Sequence, residues 1–166
     1  MPIFPLDPQQ HPDLTDFIAA LNKAQVDYLI VGAYAVMAHS ETMRATKDLD
    51  VYVNPDAANL ARLKRALEAF GAPQNIIDAP DAPRTETQFE GFTFGRPPAR
   101  VDVLTKMAIP FDALKQRALA FTHDTLTAVT VIGKEDLILL KQKANRTQDR
   151  HDIAALTKKR PRSRTR

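Results

Sequence analysis

The chain has 166 residues, 44% of them apolar and 26% charged, a soluble composition with room for one domain and a real core. Cysteine is absent, which excludes disulfide frameworks, zinc–thiolate and iron–sulfur centres and thiol catalysis. The net charge of +3 belongs to the tail: Lys158, Lys159, Arg160, Arg162, Arg164 and Arg166 supply six of the 23 basic residues, and the remaining 17 face 20 Asp and Glu. A basic run on an acidic body suits a polyanionic partner, and it is equally a frayed, solubilising terminus. No stretch reaches the roughly 18–20 apolar residues of a membrane span, and MPIFPLDPQQ lacks a basic n-region, so a cytoplasmic setting without a membrane partner is expected.

Residues 1–12 carry Pro2, Pro5, Pro8 and Pro12 and read as an extended lead-in. Asp13 is the expected cap of a helix whose stripe Leu14, Phe17, Ile18 and Leu21 has i, i+3, i+4, i+7 spacing. Residues 27–31 (DYLIV) read as a buried strand ended by Gly32, AYAVMAHS as a short helix, and DLDVYV at 48–53 as the second strand. Asp56 then opens an amphipathic helix with Leu60, Leu63, Leu67 and Phe70 inward and Gly71 as its stop. Five prolines interrupt the chain from Pro73 to Pro98, around a strand candidate at 88–94, and RVDVL at 100–104 is a further strand. Residues 111–121 are expected to be helical and 125–132 β-rich, with one or two helices over 134–157 that are continuous or broken near 145–147. The sum is a single α+β domain of α/β type over 13–157 with a helical C-terminal part, followed by the basic tail at 158–166.

The informative positions are Asp48, Asp50 and Asp102. Side chains alternate along a strand, so Leu49, Val51 and Val53 mark the core face of DLDVYV while Asp48, Asp50 and Tyr52 take the other. The two carboxylates lie about 7 Å apart along the strand, where mutual repulsion raises a pKa unless a cation sits between them. RVDVL repeats the device, with Val101 and Val103 on one face and Asp102 on the other. If the two strands are neighbours, three carboxylates converge. Magnesium or manganese takes such oxygen ligands, two ions about 3.5–4 Å apart serving in-line nucleotidyl transfer. Read alone, D-x-D on a strand is also a solvent-facing polar edge. Upstream, Gly32 lets the backbone approach a ligand and the amides of the following helix start can bind phosphate. Ser40, Arg44, Thr46 and Lys47 add hydroxyls and cations suited to a triphosphate.

This order of parts is carried by VGAYAVMAHSETMRATKDLDVYV at 31–53, RVDVL at 100–104 and EDLILLKQKANRTQDRHDIAAL at 135–156. It resembles the minimal nucleotidyltransferases of the DNA polymerase β superfamily, and within them the group of AbiEii-type toxins of type IV toxin–antitoxin systems. The resemblance spans most of 26–157 and implies a nucleotidyltransferase-like mixed sheet flanked by helices. It implies metal ligation by Asp48, Asp50 and Asp102, with Asp102 also a candidate base. Gly32 and Ala33 match the turn over the nucleotide phosphates, although Ala33 departs from the Gly-Gly or Gly-Ser pattern, and Arg44 and Thr46 fall in the nucleotide-binding stretch. Lys141, Arg146, Asp149 and Asp152 look like the group's K-x4-R-x2-D-x2-D helix, with Lys141 suited to a phosphate and Asp152 holding Lys141 or Arg146 in place. Without the resemblance, Arg146 and Asp149 are an i, i+3 pair of the kind that forms surface ion pairs.

The expected activity is metal-dependent transfer of a nucleoside monophosphate from an NTP to an acceptor hydroxyl. The acceptor suggested by the basic tail is an RNA, such as a tRNA 3′ end, and the resemblance implies a toxin with a cognate antitoxin protein. Two alternatives stand beside it: transfer to an antibiotic or a protein, and an inactive nucleotide- or partner-binding module, the latter motivated by Ala33. His39 and His151 have no partner at metal spacing and read as structural. There is no P-loop, dinucleotide fingerprint, H-E-x-x-H or serine elbow, and at 7% aromatic content a base-stacking surface is not expected.

Overall fold

The first helix, α1 (Pro12–Lys23), begins on a proline, whose missing N–H is an orphan donor at a helix start in any case. In this computed structural model, which describes residues 2–43, 45–46, 48–82 and 90–158, the N-cap is His11 without a side-chain cap. Asp13, expected as the cap, instead lies in the first turn, where a carboxylate complements the helix dipole. The lead-in before α1 is extended but not idle. Phe4 and Leu6 are buried, and the Phe4 amide donates to the Thr122 carbonyl at 2.8 Å.

Strand β1 (Tyr28–Val31) is buried along its whole length and runs directly into α2 (Gly32–His39), which is buried over six of its residues. β2 (Asp48–Val53) follows, then α3 (Ala57–Phe70). Both ends of α3 match their sequence signals: the Asp56 carboxylate accepts from the Ala58 amide, and Gly71 closes the helix at φ 85°, the left-handed conformation that suits glycine. After the short α4 (Gln74–Ile77) come β3 (Glu90–Phe94) and β4 (Arg100–Lys106).

The stretch 111–121 departs from the expected helix. α5 covers Phe111–Lys115, and the chain then turns into β5 (Leu119–Phe121), which pairs antiparallel with β6 (Val129–Val131). The helix-forming composition of ALKQRALAF loses to a strand ladder and to the burial of Phe121. The β-rich composition of 125–132 likewise reduces to three residues of strand. At the end, α6 (Lys134–Ala144) and α7 (Thr147–Thr157) are separate helices. Asn145 at φ 49° ends the first, and at the start of the second the Asp149 carboxylate accepts from the Arg146 amide at 3.0 Å.

The six strands form one mixed sheet in the order β3-β4-β2-β1-β6-β5. β2 is antiparallel to β1 and parallel to β4, and β1 is parallel to β6. α1 packs on α3, where Phe17 meets Phe70 and Phe94 edge-on at 5.4 and 5.2 Å. Leu49, Val51, Val101 and Val103 are at most 1% exposed, so the alternation in β2 and β4 identifies the core face correctly. α2 lies on β1 and β2 and against α6 and α7, and Leu137 and Lys141 of α6 line a cleft with Gly32 at the start of α2. Among the described residues no helix is long and apolar enough to cross a membrane.

Candidate active site

The parallel pairing of β2 with β4 sets Asp48 opposite Arg100 and Asp50 opposite Asp102. Alternation puts all four side chains on one face, because Leu49, Val51, Val101 and Val103 take the other. Asp50 and Asp102 are hydrogen-bonded to each other, and the Thr93 hydroxyl on neighbouring β3 donates to Asp102 Oδ1 at 2.7 Å. Burial, together with the Asp102 and Asp48 carboxylates beside it, pushes the Asp50 carboxyl up to about 7, with Lys141 acting in the opposite sense. Asp48 is covered by Arg100: Nη2 donates to Oδ2 at 2.7 Å, and Nε lies 2.6 Å from Oδ1 in ion contact without hydrogen-bond alignment. Arg100 Nε is also 3.9 Å from Asp102 Oδ1.

Gly32 joins β1 to α2 directly over this face. Its φ is +68°, and a Cβ built there would fall 2.0 Å from Asp50 Oδ2. Any other residue would both strain the backbone and displace the carboxylate. Val31, the last residue of β1, is paired with Asp50 across the sheet, so the same ladder fixes the turn and the carboxylate together.

A cleft of about 720 Å³ opens beside them, lined by Gly32, Asp50 and Lys141 and, on its apolar side, by Leu104, Met107 and Leu137. Lys141 projects from α6, 2.8 Å from Asp152 Oδ2 and 3.3 Å from Asp149 Oδ1. Both carboxylates are almost fully buried. Arg146 forks onto Asp149, its Nε donating to Oδ2 at 2.8 Å and its Nη2 to Oδ1 at 3.3 Å, while its own side chain is 77% exposed at the cleft mouth. Two cations and two buried carboxylates therefore tie α6 to α7 and hold an ammonium toward the acidic face.

The structure thus gathers Gly32, Asp48, Asp50, Asp102, Lys141 and Asp152 into one region. Ala33 is buried in the first turn of α2. The Thr46 hydroxyl donates to the Asp48 carbonyl and accepts from the Asp48 amide, and so pins the entry to β2. Arg44 and Lys47 lie outside the described residues, as does the tail beyond Lys158. His39 holds the Ile132 carbonyl at 2.6 Å, a structural role. Sequence reasoning did not single out Arg100 and Thr93. The signal for Arg100 was present, since a residue two before Asp102 on a strand shares its face. Thr93 depends on a pairing partner that local sequence does not disclose.

Among the described residues no group of three His, Cys, Asp or Glu side chains is gathered to hold a metal as it stands. Asp50 and Asp102 are in contact, and Asp48 is engaged by Arg100. The chemistry fits: three hard oxygen donors share one face, and the pair in contact is one whose charges repel without a cation between them.

The sequence profile of a family described as nucleotidyltransferase of unknown function (DUF6036) matches residues 12–158. No curated protein sequence matches the chain. Among solved structures, the antibiotic-resistance factor ANT(2″)-Ia in solution is similar, with a TM-score of 0.58 at 14% identity over 91% of this chain and 84% of that one. The crystal structure of ANT(2″)-Ia in complex with adenylyl-2″-tobramycin is similar with a TM-score of 0.58 at 14% identity, over 89% of this chain and 87% of that one. At this identity the likeness is one of fold.

Proposed function

The chain belongs to the DUF6036 family of nucleotidyltransferases, and from that premise we propose that its Asp48–Asp50–Asp102 face moves a nucleoside monophosphate from an NTP to an acceptor hydroxyl. The observation that carries this reading is the register that sets Asp102 against Asp50, at the edge of a cleft that also holds Gly32 and Lys141. Asp48, Asp50 and Asp102 would hold a divalent cation, magnesium or manganese, which supplies charge neutralisation and polarisation of the phosphate. Gly32 admits the triphosphate close to the backbone at the start of α2, and Lys141 faces its charge. Leu104, Met107 and Leu137 offer apolar surface to the sugar and base. Asp102, oriented by Thr93, takes the acceptor's proton as the hydroxyl oxygen bonds to the α-phosphorus in line. The α–β phosphoanhydride bond breaks and pyrophosphate leaves.

The acceptor we favour is an RNA 3′ end, supported by the basic run at 158–166 on an otherwise acidic chain. A toxin acting on tRNA and countered by an antitoxin is the corresponding biological setting, carried by the sequence resemblance. The test is transfer of each α-labelled nucleotide separately, with magnesium and a pool of cellular RNA, for wild type beside Asp48→Asn. RNA labelled by wild type alone is the expected result. Label that fails to enter RNA with any nucleotide sinks the RNA acceptor. A chain truncated after residue 157 should then bind RNA with a shallower salt dependence, and an unchanged slope removes the tail from the interface.

A second reading takes a cationic aminoglycoside as acceptor. It is favoured by the shared fold with ANT(2″)-Ia, whose complex holds adenylyl-2″-tobramycin. The acidic body supports it. Protection of a host from no aminoglycoside would count against it.

A further inference from the structure

Among the described residues, Arg100 is in ion contact with Asp48 on the acidic face, and its placement follows from the sheet. Arg100 and Asp48 are register partners across β4 and β2, so their side chains leave neighbouring strands on one face at one level. One guanidinium covers both oxygens of Asp48, at 2.6 and 2.7 Å, and reaches to within 3.9 Å of Asp102. Those oxygens are the ones a divalent cation would need from Asp48. Arg100 can also withdraw without uncovering the core, because its side chain is 39% exposed and Asp48's 25%. The interior on this part of the sheet is closed by Leu49 and Val101, which point the other way.

We propose that Arg100 is a built-in counter-ion that occupies Asp48 in the metal-free protein and must leave it before a divalent cation can add that carboxylate to Asp50 and Asp102. The inference rests on the metal-dependent reading above. Arg100 then has two effects of opposite sign. It stabilises the metal-free fold by relieving repulsion among three carboxylates, and it raises the ion concentration at which the three-carboxylate site assembles. Lysine is not equivalent, since an ammonium lacks the planar fork that covers both oxygens at once.

The test uses the full chain, stripped with chelator, and titrates Mn²⁺ alone, reading free ion by electron paramagnetic resonance. Arg100→Met retains the aliphatic stem and removes the charge. It should bind Mn²⁺ roughly three- to tenfold more tightly than wild type, the range expected on losing a partly exposed forked ion pair. Its melting temperature should be lower than wild type in chelator and should rise further on adding Mn²⁺. Arg100→Lys should fall between the two. Equal or weaker Mn²⁺ binding by Arg100→Met, with wild type still binding, overturns the counter-ion role and leaves the metal-dependent reading intact. Failure of both proteins to take up Mn²⁺ overturns both. Should Arg100→Met not fold in chelator, Arg100→Lys is judged against wild type by the same criterion.

Discussion

Replacing Gly32 with alanine tests the link between the β1–α2 turn and the carboxylate face. Two costs follow from the geometry. Alanine at φ +68° carries about 1 kcal/mol or slightly more of left-handed strain. The new methyl, 2.0 Å from Asp50 Oδ2, must also push that carboxylate by about 1.4 Å or more to reach ordinary van der Waals contact of about 3.4 Å. Driving the side chain off its rotamer adds about 0.5–1.5 kcal/mol. The sum, about 1.5–2.5 kcal/mol, corresponds to a melting temperature lower by roughly 3–10 °C for a domain of this size. Transfer activity should fall much further, on the order of 100-fold, because a displacement of about 1 Å at a reacting group costs that much. Gly71→Ala is the matched control. Gly71 has φ +85° but no atom within 4 Å of the position a Cβ would take, so it carries the conformational strain alone. The assays are thermal melts with chelator and nucleotide transfer at saturating NTP. A Gly32→Ala protein no less stable than Gly71→Ala, and as active as wild type, would refute the claim that this turn positions Asp50.

Other perturbations separate stability from chemistry. Asp50 is held near 7 against an ordinary 3.8, so the folded chain keeps a proton that the unfolded chain releases between about pH 4 and 7. The chelated protein should therefore be most stable at the acid end of that window and lose stability as pH rises through about 7. Asp50→Asn should flatten this dependence and stabilise the chelated protein above pH 7 by about 1–3 kcal/mol, the linkage value reduced for a half-buried face, while abolishing transfer. Denaturant melts across pH check it, and a wild-type curve flat from pH 4 to 8 would contradict it. Lys141→Met removes the ammonium shared by two buried carboxylates, with Arg146 still on Asp149 and Gln148 still on Asp152, and should cost about 3 kcal/mol, with Asp152→Asn in the same chain recovering part of that loss and none of the lost affinity for a non-hydrolysable NTP. Thr93→Val removes one hydrogen bond to Asp102 and should lower kcat about fivefold, the equivalent of about 1 kcal/mol, with little change in melting temperature. An unchanged kcat would show that Thr93 does not orient the base.

Much of the site was readable before the fold because strand alternation is a local property. DLDVYV and RVDVL each declare which face is apolar, and the core face they indicate is the one buried. Asp56 and Gly71 likewise bound α3 through chemistry within a turn of each end. What local reading missed depends on partners distant in the chain. Arg100 meets Asp48 through a strand register, and Thr93 meets Asp102 through β3, neither of which is written in neighbouring residues. The stretch 111–121 misled because helix-forming residues were recruited to an edge ladder with β6. Lys141 and a hold on it by Asp152 were expected from the family motif, whereas the added contact of Lys141 with Asp149 follows from the break at Asn145 that folds α7 back on α6.

The parallel pairing of β2 with β4 also governs when the protein becomes competent during synthesis. Parallel neighbours cannot be joined by a tight hairpin, and here α3, α4 and β3 intervene before Asp102 arrives beside Asp50. Lys141 emerges later still, on the penultimate helix. A chain leaving the ribosome thus holds Gly32, Asp48 and Asp50 long before Asp102 and Lys141 exist. Contacts of such long sequence separation form late, after the entropy of closing the intervening chain has been overcome. On the proposed reading, catalytic competence is therefore withheld from any nascent chain or fragment that ends before α6, and turnover reports that the chain has been made and folded at least that far.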